Sequence, residues 1–188
     1  MKTIIIVFII LFNLQTLTIA DDISDFEIEG ISIGDSALNF FSSVKIKENT
    51  SNPPNLKNSE YTQSCFDRYG NTYDRICIAY NKKSSKKKIV SVQAQLKYNK
   101  DAMNICRKKQ YEIDKEFSVI FKNLERKDWG KYPLKSIIDI DPDAHYYPIT
   151  YEFVDKSRAQ LACYSIQNKT SLKISVYTLE YAIKVLRK

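Results

Sequence analysis

Histidine and tryptophan each occur once among the 188 residues, as His145 and Trp129, and glycine occurs only four times. A single imidazole cannot build a multi-histidine metal centre. The glycines Gly30, Gly34, Gly70 and Gly130 are too scattered to form a phosphate-cradling loop. Cysteine is also sparse. Cys65, Cys77, Cys106 and Cys163 are spaced too widely and irregularly for a zinc ribbon or a Cys-x-x-Cys redox pair. No arginine-rich stripe or nucleic-acid-binding motif is present, which sets nucleic acid aside as a partner. Beyond the N-terminus no apolar run reaches the length of a membrane span. These absences lead us to expect no metal and no cofactor.

What is present begins at the N-terminus. Lys2 is followed by an apolar stretch over 3–12, a polar patch, and Thr18-Ile19-Ala20 ahead of Asp21-Asp22. A basic start, a short hydrophobic core and a small-residue cleavage site are the layout of a secretory signal peptide, read here over 1–20. All four cysteines lie downstream, and their even number points to an oxidising compartment, periplasmic or extracellular. The formal net charge of +7 favours an anionic partner, such as an acidic glycan, a lipid headgroup or an acidic protein.

Residues 21–58 read as a weakly packed lead-in containing a short helix capped by Asp35-Ser36 and a polar, proline-containing linker over 49–58. A single α+β domain follows over 59–188. Residues 72–80 read as a strand with Ile76, Ile78 and Tyr80 on one face. Residues 89–98 alternate, with Val90, Val92, Ala94, Leu96 and Tyr98 pointing one way and Ser91, Gln93, Gln95 and Lys97 the other. The lysine-rich 81–88 between them is a hairpin tip. Asp101 suits the N-cap of a long helix whose stripe is Ala102, Ile105, Cys106, Ile113, Phe117, Ile120, Phe121 and Leu124, with Gly130 after its last turn. Residues 127–147 read as an irregular connection. Strands are expected over 149–154, 159–166 and 172–177. Thr178 then caps a final helix carrying Leu179, Ala182, Ile183 and Leu186. The order of elements predicts an α+β fold: an antiparallel sheet with one long amphipathic helix packed across one face, stabilised by disulfides.

Four cysteines allow three pairings, and sequence does not choose among them. Cys65 and Cys77 are near in sequence, while Cys106 lies on the helix stripe that faces the sheet and Cys163 lies in a late strand. That placement favours Cys65–Cys77 and Cys106–Cys163, which would stabilise by about 3 and about 4 kcal/mol on the chain-entropy model.

Several motifs invite a chemical reading. Ile33-Gly34-Asp35-Ser36 resembles the first block of the GDS-type secreted esterases, which would make Ser36 a nucleophile and His145 its base. The family's Gly-x-Asn-Asp block is missing, and its Asp-x-x-His pattern is not matched by Asp141, Asp143 and His145. A glycine turn and helix cap explains the same residues. Asp139, Asp141 and Asp143 mimic the start of a calcium loop, but Ala144 stands where that loop needs glycine and Thr150 where it needs glutamate. Trp129, Tyr132, Tyr146 and Tyr147 could line a binding surface. Lys82, Lys83, Lys86, Lys87 and Lys88 could touch an anionic one, although a solvated hairpin tip accounts for them. Asn49 and Asn168 begin glycosylation sequons.

The run over 25–36 (DFEIEGISIGDS) resembles the opening of a group of small secreted bacterial proteins that have no assigned activity. Residues 106–121 and Asp128-Trp129-Gly130-Lys131 are similar to that group too, so the resemblance extends over most of the chain after residue 20. It implies an exported, soluble domain. Gly34-x-Ser36 before a short helix is similar, at the level of fold, to outer-membrane assembly factors and β-lactamase-inhibitor-like domains, which bind proteins. The function expected is a non-enzymatic envelope or extracellular binding module whose partner is another envelope protein or an anionic surface. A Ser36/His145 esterase and a protein inhibitor or assembly partner are the alternatives.

Overall fold

Two antiparallel meanders, zipped together at their middle, build the sheet that organises this protein. The computed structural model describes residues 22–186, apart from 52, 54, 55, 71 and 101. The signal peptide expected over 1–20 and the helix cap expected at Asp101 lie outside the described residues. In chain order the elements are β1 (Glu27–Ile28), β2 (Ile31–Ser32), α1 (Ser43–Glu48), β3 (Thr50–Ser51), β4 (Tyr61–Asp67), β5 (Arg75–Asn81) and β6 (Ile89–Tyr98). There follow α2 (Met103–Ile120), β7 (Glu125–Asp128), β8 (Tyr132–Pro133), β9 (His145–Glu152), β10 (Arg158–Ile166), β11 (Lys169–Tyr177) and α3 (Leu179–Tyr181). Nine strands form one sheet in the order β3-β4-β5-β6-β11-β10-β9-β7, with β8 also on β9. Every pairing is antiparallel. The fold is therefore α+β, dominated by an antiparallel sheet and carrying two disulfides, Cys65–Cys77 and Cys106–Cys163.

One face of the sheet is apolar from β5 across to β9. Ile76 and Ile78 of β5, Val92 and Ala94 of β6, Ile174 and Val176 of β11, Leu161 of β10 and Ile149 of β9 are all buried in one cluster. The 18-residue α2 lies against β10 and β11 and contributes Cys106, Ile113, Phe117 and Phe121 to that cluster. A helix of that length spans about 27 Å, too little to cover nine strands. The N-terminal segment covers the rest. Read from its glycines as weakly packed, it instead buries Ile23, Ile28, Ile31, Ile33, Ala37, Phe41 and Ile46 in the same core. Phe41 stacks on Phe66 of β4 at 3.7 Å, and Phe26 reaches across to Phe117 and Phe121 of α2, 5.1 Å from each. The glycine at position 30 serves a turn. Glu29 and Gly30 both take positive φ, 52° and 75°, as a two-residue turn between β1 and β2 requires.

Other local expectations change. The buried side of α2 includes Gln110 and Asp114, and Ile105 points outward with 57% exposure. Ala102 occupies its N-cap with no side-chain hydrogen bond, and the helix closes at Phe121, so Gly130 does not end it. Alternation along β6 breaks at a bulge, where Ala79 pairs with Ser91 but Tyr80 with Ile89. The extra residue, Val90, turns to the opposite face and packs with Tyr61 and Tyr177. The C-terminal segment starts at Thr178, whose hydroxyl accepts from Tyr181 N, but winds into a π-turn over Ala182–Leu186. That rotation buries Tyr181, Ala182 and Val185 and exposes Ile183 and Leu186. The stretch 127–147 holds β8 and ends in β9. β7, an edge strand of exposed Glu125, Arg126, Lys127 and Asp128, carries the charges that blunt an open sheet edge.

A buried polar group anchors α2. The Asp114 carboxylate accepts two bonds from Arg126 of β7, at 2.9 and 2.7 Å, and one from the hydroxyl of fully buried Tyr151 at 2.7 Å. Hydrogen bonding to Asp114 holds the Arg126 guanidinium charged well above its usual range, and burial raises the Tyr151 hydroxyl. One helix turn away, fully buried Gln110 donates to the carbonyls of Tyr147 and Leu161 at 2.7 and 2.8 Å.

In urea unfolding at pH 7, Asp114→Ala should lose about 3 kcal/mol, because the partly exposed Arg126 and the buried Tyr151 hydroxyl lose their shared acceptor. Tyr151→Phe should lose only about 1 kcal/mol. Equal losses would mean that the carboxylate contributes nothing beyond that one hydrogen bond. Replacing Cys106 and Cys163 by alanine, which opens a loop of sequence separation 57, should cost about 4 kcal/mol. The Cys65/Cys77 pair, separation 12, should cost about 3 kcal/mol.

Candidate functional site

Among the described residues, the face opposite α2 is covered at one corner. There Leu56, Tyr61, Ala79, Tyr177 and Tyr181 pack with Ala182 and Val185 of the C-terminal segment. Over β9, β10 and β11 this face is left open. The outward residues of those strands floor a groove of about 1220 Å³, walled by residues 129–137 on one side and Ala182, Val185 and Leu186 on the other.

Strand alternation sets its floor. Tyr146, Pro148 and Thr150 project from β9, Gln160 and Tyr164 from β10, and Lys173 from β11. The aromatic rings form a continuous row. Trp129 meets Tyr132 edge-to-face at 6.2 Å, and Tyr132 meets Tyr146 likewise at 6.2 Å. Tyr146 stacks on its cross-strand partner Tyr164 at 5.2 Å and 12°. Lys173 then places its ammonium 4.6 Å from the centre of the Tyr164 ring. Trp129 is held in place. Its indole N–H donates to the Thr150 hydroxyl at 3.0 Å, and Lys127 Nζ sits 3.6 Å from its ring centre.

Electrostatically the groove is one-sided. Lys135, Arg158 and Lys173 line it, and no carboxylate among the described residues does. Arg158 is neutralised by Glu152, which it reaches at 2.7 Å. Hydrogen bonds from Lys156 and then Arg158 hold the Glu152 carboxyl below its ordinary range. Lys173 has no hydrogen bond or ion pair among the described residues. Burial, reinforced by the positive charge of Arg75, pulls its ammonium below the usual lysine range. Burial raises the hydroxyls of Tyr146 and Tyr164. Lys173 also borders a second hollow of about 440 Å³, lined with Gln95, Lys97, Lys169 and Ser171.

The structure gathers Trp129, Tyr132 and Tyr146, and leaves Tyr147 out. One residue along β9, Tyr147 points toward α2, where the Arg107 guanidinium lies 4.6 Å from its ring centre. The lysines Lys82, Lys83, Lys86, Lys87 and Lys88 do not line the groove. They occupy the β5–β6 loop, where Lys82 donates to the Ser59 carbonyl and Lys87 covers the Tyr80 ring. Tyr164 and Lys173 escaped the sequence reading, although both occupy outward positions in strands whose alternation was visible.

Ser36 and His145 do not meet. The Ser36 hydroxyl donates to the Lys86 carbonyl at 2.6 Å and accepts from Leu38 N, and its backbone bridges Lys88 just before β6. His145 lies in the row of Ser165, Thr170 and Tyr98, at the other end of β6. About 30 Å of strand separates them. Gly34-Asp35-Ser36 works as a turn and cap: Ser32 N donates to Asp35 Oδ2 at 2.9 Å. Asp141 accepts from Asp143 N and Gln167 N, which spends that carboxylate on two loops. Among the described residues, no three His, Cys, Asp or Glu groups cluster closely enough to hold a metal ion.

The Lys173 shift carries a sign. Its folded pKa lies below the unfolded value, so the unfolded chain binds this proton more tightly. The charged side chain therefore costs stability at neutral pH, and that cost fades as pH rises toward lysine's own titration range. Lys173→Met should gain a few tenths to about 1 kcal/mol in urea unfolding at pH 7, with loss of the Tyr164 contact offsetting part of the gain. The gain should shrink as pH is raised. A variant less stable than wild type at pH 7 would overturn this sign. No protein-family model, no curated protein and no solved structure matches this chain.

Proposed function

We propose that the protein is an exported, non-enzymatic binding module, and that the groove on the open face of its sheet is the binding surface. The observation that carries this reading is the aromatic row Trp129-Tyr132-Tyr146-Tyr164 ending at Lys173. Indole and phenol rings that could be buried are instead held at an open groove, with Trp129 39% and Tyr132 43% exposed. Rings of this kind supply large, rigid contact area and a polar handle at small entropic cost. The cross-strand stack and the Trp129–Thr150 bond fix the row before any ligand arrives, which lowers the cost of binding.

Export is supported from four sides. The first twenty residues have the layout of a secretory signal, and two disulfides join all four cysteines. Among the described residues no helix is long and apolar enough to cross a membrane. The similarity of residues 25–36 to a group of secreted bacterial proteins points the same way.

Trp129 is the only tryptophan, so its emission reports the groove directly. Purified protein should show a saturable change in Trp129 emission with one member of a panel of neutral glycans, acidic glycans, acidic peptides and lipid vesicles. Tyr146→Ala and Tyr164→Ala should each weaken that response about tenfold or more while the protein stays folded. A panel that leaves Trp129 unmoved throughout, or a response indifferent to both variants, would remove the open face as the binding surface.

A further inference from the structure

We infer that the ligand of the open face is an acidic polysaccharide, its sugar rings lying along the aromatic row and its anionic groups meeting Lys173. This rests on the proposal that the open face is the binding surface.

The groove lies on the face of the sheet. Every strand beneath it has neighbours on both sides, since β9 pairs with β7, β8 and β10, and β10 and β11 lie further in. Its floor therefore offers no unpaired backbone to which an extended peptide could add as a strand. What it offers is side-chain chemistry alone: flat rings, hydroxyls, amides and ammonium groups. The hydroxyls of Tyr132, Tyr146 and Tyr164 make no hydrogen bond with the described residues. The C–H faces of sugar rings pack on aromatic carbon, and sugar hydroxyls pair with phenol and amide groups such as Gln160. A row of four rings suits a polymer better than a single sugar.

Charge fixes the class of sugar. The groove and the adjoining hollow are lined by Lys97, Lys135, Arg158, Lys169 and Lys173, with no Asp or Glu of the described residues in either lining. Two of the five are already paired: Arg158 with Glu152, and Lys97 with Asp67 at 3.7 Å. Lys173 is not, and it stands where the two hollows meet. A half-buried ammonium without a counter-ion costs stability and is relieved by an incoming anion, which then gains more than it would at a solvated lysine. A chain following the row would reach Lys173 and continue toward Lys97 and Lys169.

The test titrates the folded protein, at low and at physiological salt, with polygalacturonate, dextran sulfate, neutral dextran, polyglutamate and phosphatidylglycerol vesicles, reading Trp129 emission. Polygalacturonate or dextran sulfate should give a saturable change, and which of them does separates carboxylate from sulfate recognition. Lys173→Met should weaken binding about tenfold with no loss of unfolding midpoint. Neutralising Lys82, Lys83 and Lys86 together should leave it within about twofold, because solvated hairpin charges add only screened, long-range attraction. Polyglutamate binding as tightly as either acidic glycan would overturn the inference in favour of plain polyanion attraction. Neutral dextran or vesicles binding instead would overturn it too, yet leave the open face as the binding surface. No response to any probe that binds the protein by sedimentation would sink both readings.

Discussion

The ladder between β6 and β11 is the constraint on which the rest of the structure depends. It pairs Thr170 with Tyr98 through to Tyr177 with Ser91 along nearly the full length of both strands. These strands are far apart in the chain, separated by α2, β7, β8, β9 and β10. The ladder joins a four-stranded half and a five-stranded half into one wide sheet. Without it each half keeps a raw edge and a half-covered apolar face. Such a long-range pairing must overcome a large loop-closure entropy before it returns anything. The Cys106–Cys163 disulfide acts on this problem, since it ties the intervening helix to the strand next to β11.

Once the sheet is wide, its two faces need different solutions. The apolar face requires two covers, α2 over β10 and β11 and the N-terminal segment over the β4–β6 side, and Phe26 between Phe117 and Phe121 joins them. The polar face has one cover, the C-terminal π-turn at a corner, anchored on Tyr61, Tyr177 and Tyr181. The bulge at Val90 serves that corner by moving a single apolar side chain across the sheet. Beyond the corner stands the aromatic row, beside the groove walled by residues 129–137.

Sequence pattern revealed the parts of this arrangement that depend on local periodicity. Ile76, Ile78 and Tyr80 were legible as one face of a strand, and they share the core. The long helix was legible from its stripe, but the role of Gln110 and Asp114 was not. A polar residue on a buried helix face is recognisable only when its partners are known, and those partners, Tyr147, Leu161, Arg126 and Tyr151, lie at sequence distances of 12 to 51. β4 went unread because Tyr61, Gln63 and Cys65 face one side and Thr62, Ser64 and Phe66 the other, with polar atoms on both. β7 is wholly charged, as an edge strand can be, and so carries no hydrophobic signal. Trp129, Tyr132 and Tyr146 were recognisable as a group by composition. That Tyr147 leaves it and Tyr164 joins follows from parity along β9 and from the register with β10, which no single stretch of sequence contains.

Two half-hidden charges show what the fold does with ionic groups. Asp114 is buried deeper, yet it is satisfied by two N–H donors and a phenol, and it joins helix to sheet. Burying a carboxylate costs several kcal/mol unless such partners are supplied, and here they are. Lys173 lies in the middle of the open face with its ammonium over the Tyr164 ring and, among the described residues, no ion pair. A cation–π contact of that kind contributes about 1 kcal/mol, less than losing part of an ammonium's hydration costs. A methionine at the same position would fill the space without that deficit. Asp114 is paired where it joins helix to sheet, whereas Lys173 has no ion pair among the described residues and stands beside a row of aromatic rings. On the proposed reading, an anionic ligand would supply the counter-ion that Lys173 lacks, to a row of rings already fixed in place.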